Sequence, residues 1–247
     1  MGKTLRLDGC LMTAETEEFF YHEALVHPAA MALDAPRSAL IIGGGDGGAL
    51  EELLKHPVEN VTLVDLDEQV IQVSREHLQS INNGAFDDPR VTVRVGNGAE
   101  FVEQTDQRFD LVLLDLTDPE TPAGPLYTEA FFQQCKAVLA PGGAIVLHLG
   151  TPFHEPAQVS GLAGALHNVF NHVSAYGLHI PLYGSYWALA VASDDLVPTA
   201  LTAEQVRQRI DQRGIDDLQY YNEDVHGALF ALPNYYRRLV QVEETVC

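Results

Sequence analysis

Two carboxylates three residues apart, Asp115 and Asp118, close the apolar run "FDLVLLDLTDP" and open a polar, proline-rich loop, "DPETPAGPLYT". At the end of a buried strand such a pair can bind an ammonium group, and one member can take a proton from it. The plainer role for Asp118 is to begin a turn before Pro119. Asp46 raises a related question, because it sits in "GGGDGG" (residues 43–48), a turn of the kind that usually cradles an anion. Gly43, Gly45 and Gly48 keep the G-x-G-x-x-G spacing, which allows a tight turn and close approach of a ligand, and fits dinucleotide enzymes and nucleoside-binding methyltransferases alike. A pyrophosphate on this loop would meet the Asp46 carboxylate at close range. An adenosylated sulfonium with an amine-bearing tail would gain from it. The competing role for Asp46 is to cap a helix starting at Gly47. Asp65, at the end of the next strand, can accept from both hydroxyls of a ribose, whereas Asp67 is the more natural cap for the helix that follows.

These residues need a scaffold that gathers strand ends. From Ser38 the sequence alternates strand, turn and helix: "SALIIGGG", "GGALEELLKH", "NVTLVDLD", "EQVIQVSREHL". Further strands are expected at "RVTVRVGNG", "FDLVLLDLTDP" and "AIVLHLG", the last after a helix ending at Pro141-Gly142-Gly143. The pattern predicts an α/β fold, a doubly wound and mostly parallel sheet, with ligands at the carboxyl ends of the strands. "HVSAYGLHI" and "YWALAVASD" read as a closing antiparallel pair. "KTLRLDGCLM" predicts a short N-terminal hairpin turning at Asp8-Gly9, and "EEFFYHEALVHPAAMAL" a helix with Pro28 as its break or entry. Trp187 and the phenylalanines read as core, and His226 as structural or pocket-lining rather than catalytic.

Composition narrows the partners. The 247 residues hold 14 Lys and Arg against 35 Asp and Glu, a net charge of −21, with no basic run, so duplex nucleic acid and anionic membranes would be repelled; a cationic ligand would be attracted, although an acidic surface alone more often serves solubility. Cys10, Cys135 and Cys247 are scattered and lack metal-ligand spacing, the ten histidines form no zinc pattern, and reduced thiols are expected. With no secretory signal and no apolar run long enough to span a bilayer, the expectation is one cytoplasmic domain.

Across nearly its whole length the chain resembles the polyamine aminopropyltransferases, spermidine synthases most closely. The resemblance rests on "LDG", "EEFFYHEALVHP", "LIIGGGDGGALEELLKHPVENVTLVDLDEQVI", "GAFDDPRVTVRVGNGAEF", "FDLVLLDLTDP", "LYTEAFF", "HIPLY" and "YYNEDVHGALFALP", in that order. It implies a methyltransferase-like Rossmann domain, residues 21–247, preceded by a shortened β-hairpin remnant, residues 1–20. The implied reaction moves the aminopropyl group of decarboxylated S-adenosylmethionine, a co-substrate, to an amine. It releases 5′-methylthioadenosine and uses no metal or redox cofactor. By the same resemblance Asp46 would hold the amino end of the aminopropyl chain, Asp65 the ribose, and Asn97 with Gly98 the adenine. Gly43, Gly45 and Met12 would line the donor. Tyr21, Asp115, Asp118 and Tyr183 would form the acceptor site with His22 close by, Asp118 removing the proton. Putrescine is the default acceptor and a homodimer the default assembly.

The departures cluster on the substrate side. Met12 stands where the family usually has glutamine, Asn97 where it has aspartate, and Asp65 where it has glutamate. "HLG" (residues 148–150) replaces a Gln-x-Glu-like segment, so His148 and Gly150 differ, as do Leu182, Gly184 and Tyr186. Fewer acidic contacts are left for a distal ammonium, which leaves a bulkier or different amine open. A methyltransferase and a nucleoside- or polyamine-binding protein without turnover are the competing readings. Asp46, which would repel the carboxylate of S-adenosylmethionine, argues against the first.

Overall fold

The computed structural model describes residues 2–241; Cys247 lies outside them. Asp8 and Gly9 both take positive φ (52° and 88°), the geometry of a two-residue hairpin turn, and join β1 (Thr4–Leu7) to β2 (Cys10–Ala14) as an antiparallel pair. Helix α1 (Glu18–Ala32) follows, so the boundary expected at residue 20 falls inside its first turn.

Helix α1 corrects the reading of Pro28, which neither starts nor breaks it. A proline inside a helix leaves the carbonyl four residues earlier without its donor. Here that carbonyl belongs to Ala24, and the buried Tyr176 hydroxyl donates to it at 2.8 Å. Two arginines satisfy the far end of the helix. Arg209 donates to the carbonyls of Met31 and Leu33, and Arg213 to those of Ala30 and Leu33. Residues 21–31 are all buried, so the helix runs through the core and has no solvent face.

The rest alternates as expected: β3 (Ser38–Gly43), α2 (Gly48–Leu54), β4 (Asn60–Asp65), α3 (Glu68–His77), α4 (Gln79–Asn82), β5 (Val91–Val95), α5 (Gly98–Gln104), β6 (Phe109–Asp115), α6 (Glu129–Ala137), β7 (Leu139–Gly150), α7 (Pro156–Val169), β8 (His172–Ile180), β9 (Ser185–Ser193), α8 (Ala203–Arg213), α9 (Glu223–Leu229) and α10 (Asn234–Val240). The seven-stranded sheet has the order β5-β4-β3-β6-β7-β9-β8; the first five strands are parallel and β9 is antiparallel to both neighbours. Strand side chains alternate between two cores. Ile41, Leu113 and Val146 face one, Leu40, Ile42, Val112 and Leu147 the other. Pro141-Gly142-Gly143 does not end a helix. It is taken into β7, whose pairing with β6 jumps from Phe109↔Leu139 to Leu111↔Ala144.

Among the described residues no helix is long and apolar enough to cross a membrane, and Cys10 and Cys135 are free thiols. His226 is structural as expected, bonded at both ring nitrogens to Tyr221 Oη and the Pro198 carbonyl.

Tyr176→Phe should lower stability by about 1–3 kcal/mol, because the Ala24 carbonyl then stays buried without a donor. Urea unfolding should show the shift in midpoint, and Pro28→Ala in the Tyr176→Phe background should recover most of it by returning the missing N–H.

Candidate active site

The chain winds from β3 through α2 to β4 on one side and returns at β6 on the other, which opens a crevice above the carboxyl ends of β3 and β6. The glycines of the loop do different jobs there. A Cβ on Gly43, whose φ is 83°, would lie 2.0 Å from the Asp115 carbonyl oxygen; one on Gly48 would lie 2.2 Å from the His22 ring. One on Gly45 would lie 2.7 Å from Asp65 Oδ2. At Gly43 only glycine fits, since the clash is with backbone; at Gly45 and Gly48 a larger residue would push aside Asp65 or His22, and the Gly44 N–H locks the arrangement by donating to the Asp115 carbonyl at 2.9 Å.

Asp46 both starts α2 and enters the site. Its Oδ1 accepts from the Gly48 N–H at 3.0 Å, and its Oδ2 pairs with His22 Nε2 at 3.5 Å. The other His22 nitrogen, Nδ1, donates to Glu18 Oε2 at 2.7 Å. Burial opposes a charge on His22, but the carboxylates of Asp46 and Glu18 outweigh it and hold the imidazole well above its usual range. Burial also pushes Asp46 up, and His22 more than offsets it, so Asp46 is held low. Asp115 is relieved less: His22 and the Tyr21 hydroxyl draw it down but do not prevail. Burial and the nearby Asp46 push it up to about 7, and its Oδ2 has no hydrogen-bond partner among the described residues. The facing ligand atoms of His22, Asp46 and Asp115 lie within 4.8 Å of one another, a nest that suits a single positive group.

An aromatic box adjoins this nest. Ring centroids run Tyr21–His148 6.5 Å, His148–Trp187 5.7 Å, Trp187–Tyr183 4.8 Å and Tyr183–Tyr21 6.3 Å, closing a circuit. His148 Nε2 lies 3.0 Å from the Leu116 carbonyl, which can only accept, and 2.6 Å from Tyr127 Oη, whose proton goes to the Thr117 carbonyl. The proton therefore sits on Nε2 and the Nδ1 lone pair is free. Burial lowers the imidazole pKa, which keeps the ring neutral. Tyr183 donates to the Met12 main-chain carbonyl at 2.9 Å, so its oxygen keeps lone pairs for a ligand, and Met12 contributes its backbone here. Asp118 is exposed; its main chain makes the turn, the carbonyl accepting from Thr121 N–H and Oγ1, and its carboxylate has no hydrogen-bond or ion-pair partner among the described residues. The charge of Asp118 reaches Tyr127, His148 and Tyr183.

The β4 and β5 ends form a second, more open part. Asp65 Oδ1 accepts from the Asp67 N–H at 2.8 Å, and Asp67 caps α3 through Gln69 as expected. Asn97 caps α5, its Oδ1 accepting from the Ala99 N–H at 2.9 Å. That bond engages the side-chain carbonyl, so the NH2 is the donor Asn97 can still offer. A Cβ on Gly98 would lie 2.3 Å from Ile42, so this glycine lets α5 close on β3. Leu66, 67% exposed, stands beside Asp65.

Glu18 and Tyr127 escaped the sequence reading, and Trp187 belongs to the box as well as the core. Glu18 was findable, since it precedes His22 by four residues on a helix. Tyr127 and Trp187 come from a loop and a distant strand, and nothing local marks them.

The spermine/spermidine synthase domain model matches residues 18–201. A polyamine aminopropyltransferase of Nitrosomonas europaea is 42% identical over 240 residues, 97% of this chain and 74% of that one. One of Pseudomonas syringae pv. tomato is 40% identical over 237 residues, 95% and 82% of the two chains. A spermidine synthase crystal structure in complex with the transition-state analogue AdoDATO superposes with a TM-score of 0.89 at 37% identity, covering 95% of this chain and 80% of that one. The spermidine synthase of Thermotoga maritima gives 0.87 at 36%, covering 95% and 79%.

An Asp115 carboxyl raised above its unfolded pKa of 3.8 favours folding most below that value, and the contribution is lost as pH rises through 7. Asp115→Asn should therefore stabilise the protein by on the order of 2 kcal/mol at pH 8 and by nothing measurable at pH 4, read from urea midpoints at the two pH values.

Proposed function

From the premise that the chain belongs to the spermine/spermidine synthase family and is a polyamine aminopropyltransferase, using decarboxylated S-adenosylmethionine as donor, we propose the following division of labour in its crevice. Asp46, backed by His22, receives the ammonium of the donor's aminopropyl chain. Asp65 accepts from the ribose hydroxyls, Leu66 gives the base an apolar ledge, and Asn97 with Gly98 borders it. The acceptor amine enters the aromatic box from the Asp118 side, its reacting nitrogen between Asp115, Tyr21 and Tyr183.

The amine arrives as an ammonium and has no lone pair until a base removes a proton. The sequence reading gives that step to Asp118; we assign it to Asp115. The observation that carries the assignment is the Asp115 carboxylate itself, part-buried with its Oδ2 shielded from solvent, pushed up to about 7, and without a partner at Oδ2 among the described residues. A base poised near the working pH combines a useful ionised fraction with real driving force for proton uptake. Asp118, exposed at the mouth, fits the task of drawing the cation in. Once deprotonated, the nitrogen attacks the methylene carbon beside the sulfonium. The C–N bond forms as the C–S bond breaks, its electron pair neutralises sulfur, and 5′-methylthioadenosine leaves. The product nitrogen carries the positive charge away. The Tyr21 phenol, pushed up by burial and by Asp115, stays protonated and can orient the nitrogen.

Putrescine is the acceptor we propose first, in a cytoplasmic homodimer that light scattering should place near twice the 27.0 kDa chain mass. Incubation with the donor and putrescine, cadaverine, agmatine or spermidine, with product masses followed, identifies the amine used. Asp115→Asn should lower kcat by roughly 10²–10⁴-fold with donor affinity kept, and should remove an acid limb of kcat/KM with its midpoint near 7. Asp118→Asn should act mainly on the acceptor KM. A larger kcat loss from Asp118→Asn would return the base role to that residue.

A further inference from the structure

The nest around the donor's ammonium holds a charge that the aminopropyl-transfer reading does not use. Glu18 lies one helical turn before His22, and its side chain is 11% exposed against 2% for His22. The three groups form a line, Glu18 Oε2 to His22 Nδ1 at 2.7 Å and His22 Nε2 to Asp46 Oδ2 at 3.5 Å. Each imidazole nitrogen therefore faces a carboxylate, and both can be satisfied together when both carry protons. Helix α1 fixes the first half of the line through the i,i+4 spacing, and the absent side chain at Gly48 makes room for the ring.

The arithmetic of this line matters for the choice of donor. Asp46 with a protonated His22 is a neutral pair, which attracts an ammonium weakly and repels a carboxylate weakly. With Glu18 added the line is net negative. We infer that Glu18, acting through His22, is a positioning residue that offsets the imidazolium, adds to the negative charge of Asp46 and Asp115 in the donor-tail subsite, and so strengthens the preference for a tail ending in an ammonium alone over one that also carries a carboxylate. The inference rests on the reading that Asp46 receives the donor's tail. Its chemistry is that of discrimination by repulsion, in which the disfavoured ligand meets a like charge in a partly dry site.

Glu18→Gln separates charge from shape, because the amide oxygen can still accept from His22 Nδ1. The measurement is the dissociation constant, by calorimetry, of three ligands that share the nucleoside: decarboxylated S-adenosylmethionine, S-adenosylmethionine and 5′-methylthioadenosine, which has no charged tail. In Glu18→Gln the ratio of affinities for the first two should fall about tenfold, the order expected when one charge is removed at roughly 10 Å at the effective dielectric of a part-buried site. Affinity for 5′-methylthioadenosine should stay within about twofold, and Glu18→Ala should show the same ratio change or a larger one. An unchanged ratio in both variants overturns the inference. So does a parallel loss for all three ligands, the mark of a merely structural role. Failure of the wild-type protein to prefer the decarboxylated donor while it binds 5′-methylthioadenosine would instead overturn the reading of Asp46 on which the inference stands.

Discussion

The hydrogen bond from the Gly44 N–H to the Asp115 carbonyl draws the ends of β3 and β6 so close that no side chain fits at Gly43. Everything chemical in the crevice follows from that closure. It brings the Asp115 carboxylate under the Asp46 turn, where two negative groups share one poorly hydrated space. Their proximity is unfavourable, and it is relieved unevenly, since His22 brings Asp46 down while Asp115 stays raised to about 7. The same crowding that raises one carboxyl makes it fit to move a proton.

Helix α1 carries this arrangement into the rest of the molecule. It supplies Glu18, Tyr21 and His22 within two turns, then continues through the core to a terminus whose carbonyls are held by Arg209 and Arg213 of α8. A helix buried along eleven consecutive residues has little freedom to tilt, so the groups at its start keep their distance from β3 and β6. Pro28 would have made it a weak member. The Tyr176 hydroxyl, from the antiparallel edge of the sheet, removes that weakness and ties the helix to the strands that also carry the aromatic box.

Much of this was legible in the sequence, and the limits have physical causes. Buried parallel strands leave continuous apolar runs, so β3, β4 and β6 could be read directly, and with them the placing of Asp46, Asp65 and Asp115 at strand ends. Asp8-Gly9 and Asp67 declared themselves through local turn and cap chemistry. Pro28 misled because the group that compensates it is 152 residues away. The difference in surroundings between Asp115 and Asp118 was hidden for a similar reason. Two aspartates in one motif look alike, and burial, a property of the assembled fold, tells them apart. Glu18 is the opposite case, a local signal at helical spacing that passed unread because charged residues near a helix start are usually solvent-facing.

The hydrogen bond between Tyr183 and the Met12 carbonyl spans 171 residues and joins the hairpin to the turn between β8 and β9. The aromatic box is thus braced by the first and the last thirds of the chain. The hairpin acts as a strut against the far edge of the sheet, so that loosening the turn at Asp8-Gly9 would be felt at the Tyr183 phenol, although the two are far apart in sequence.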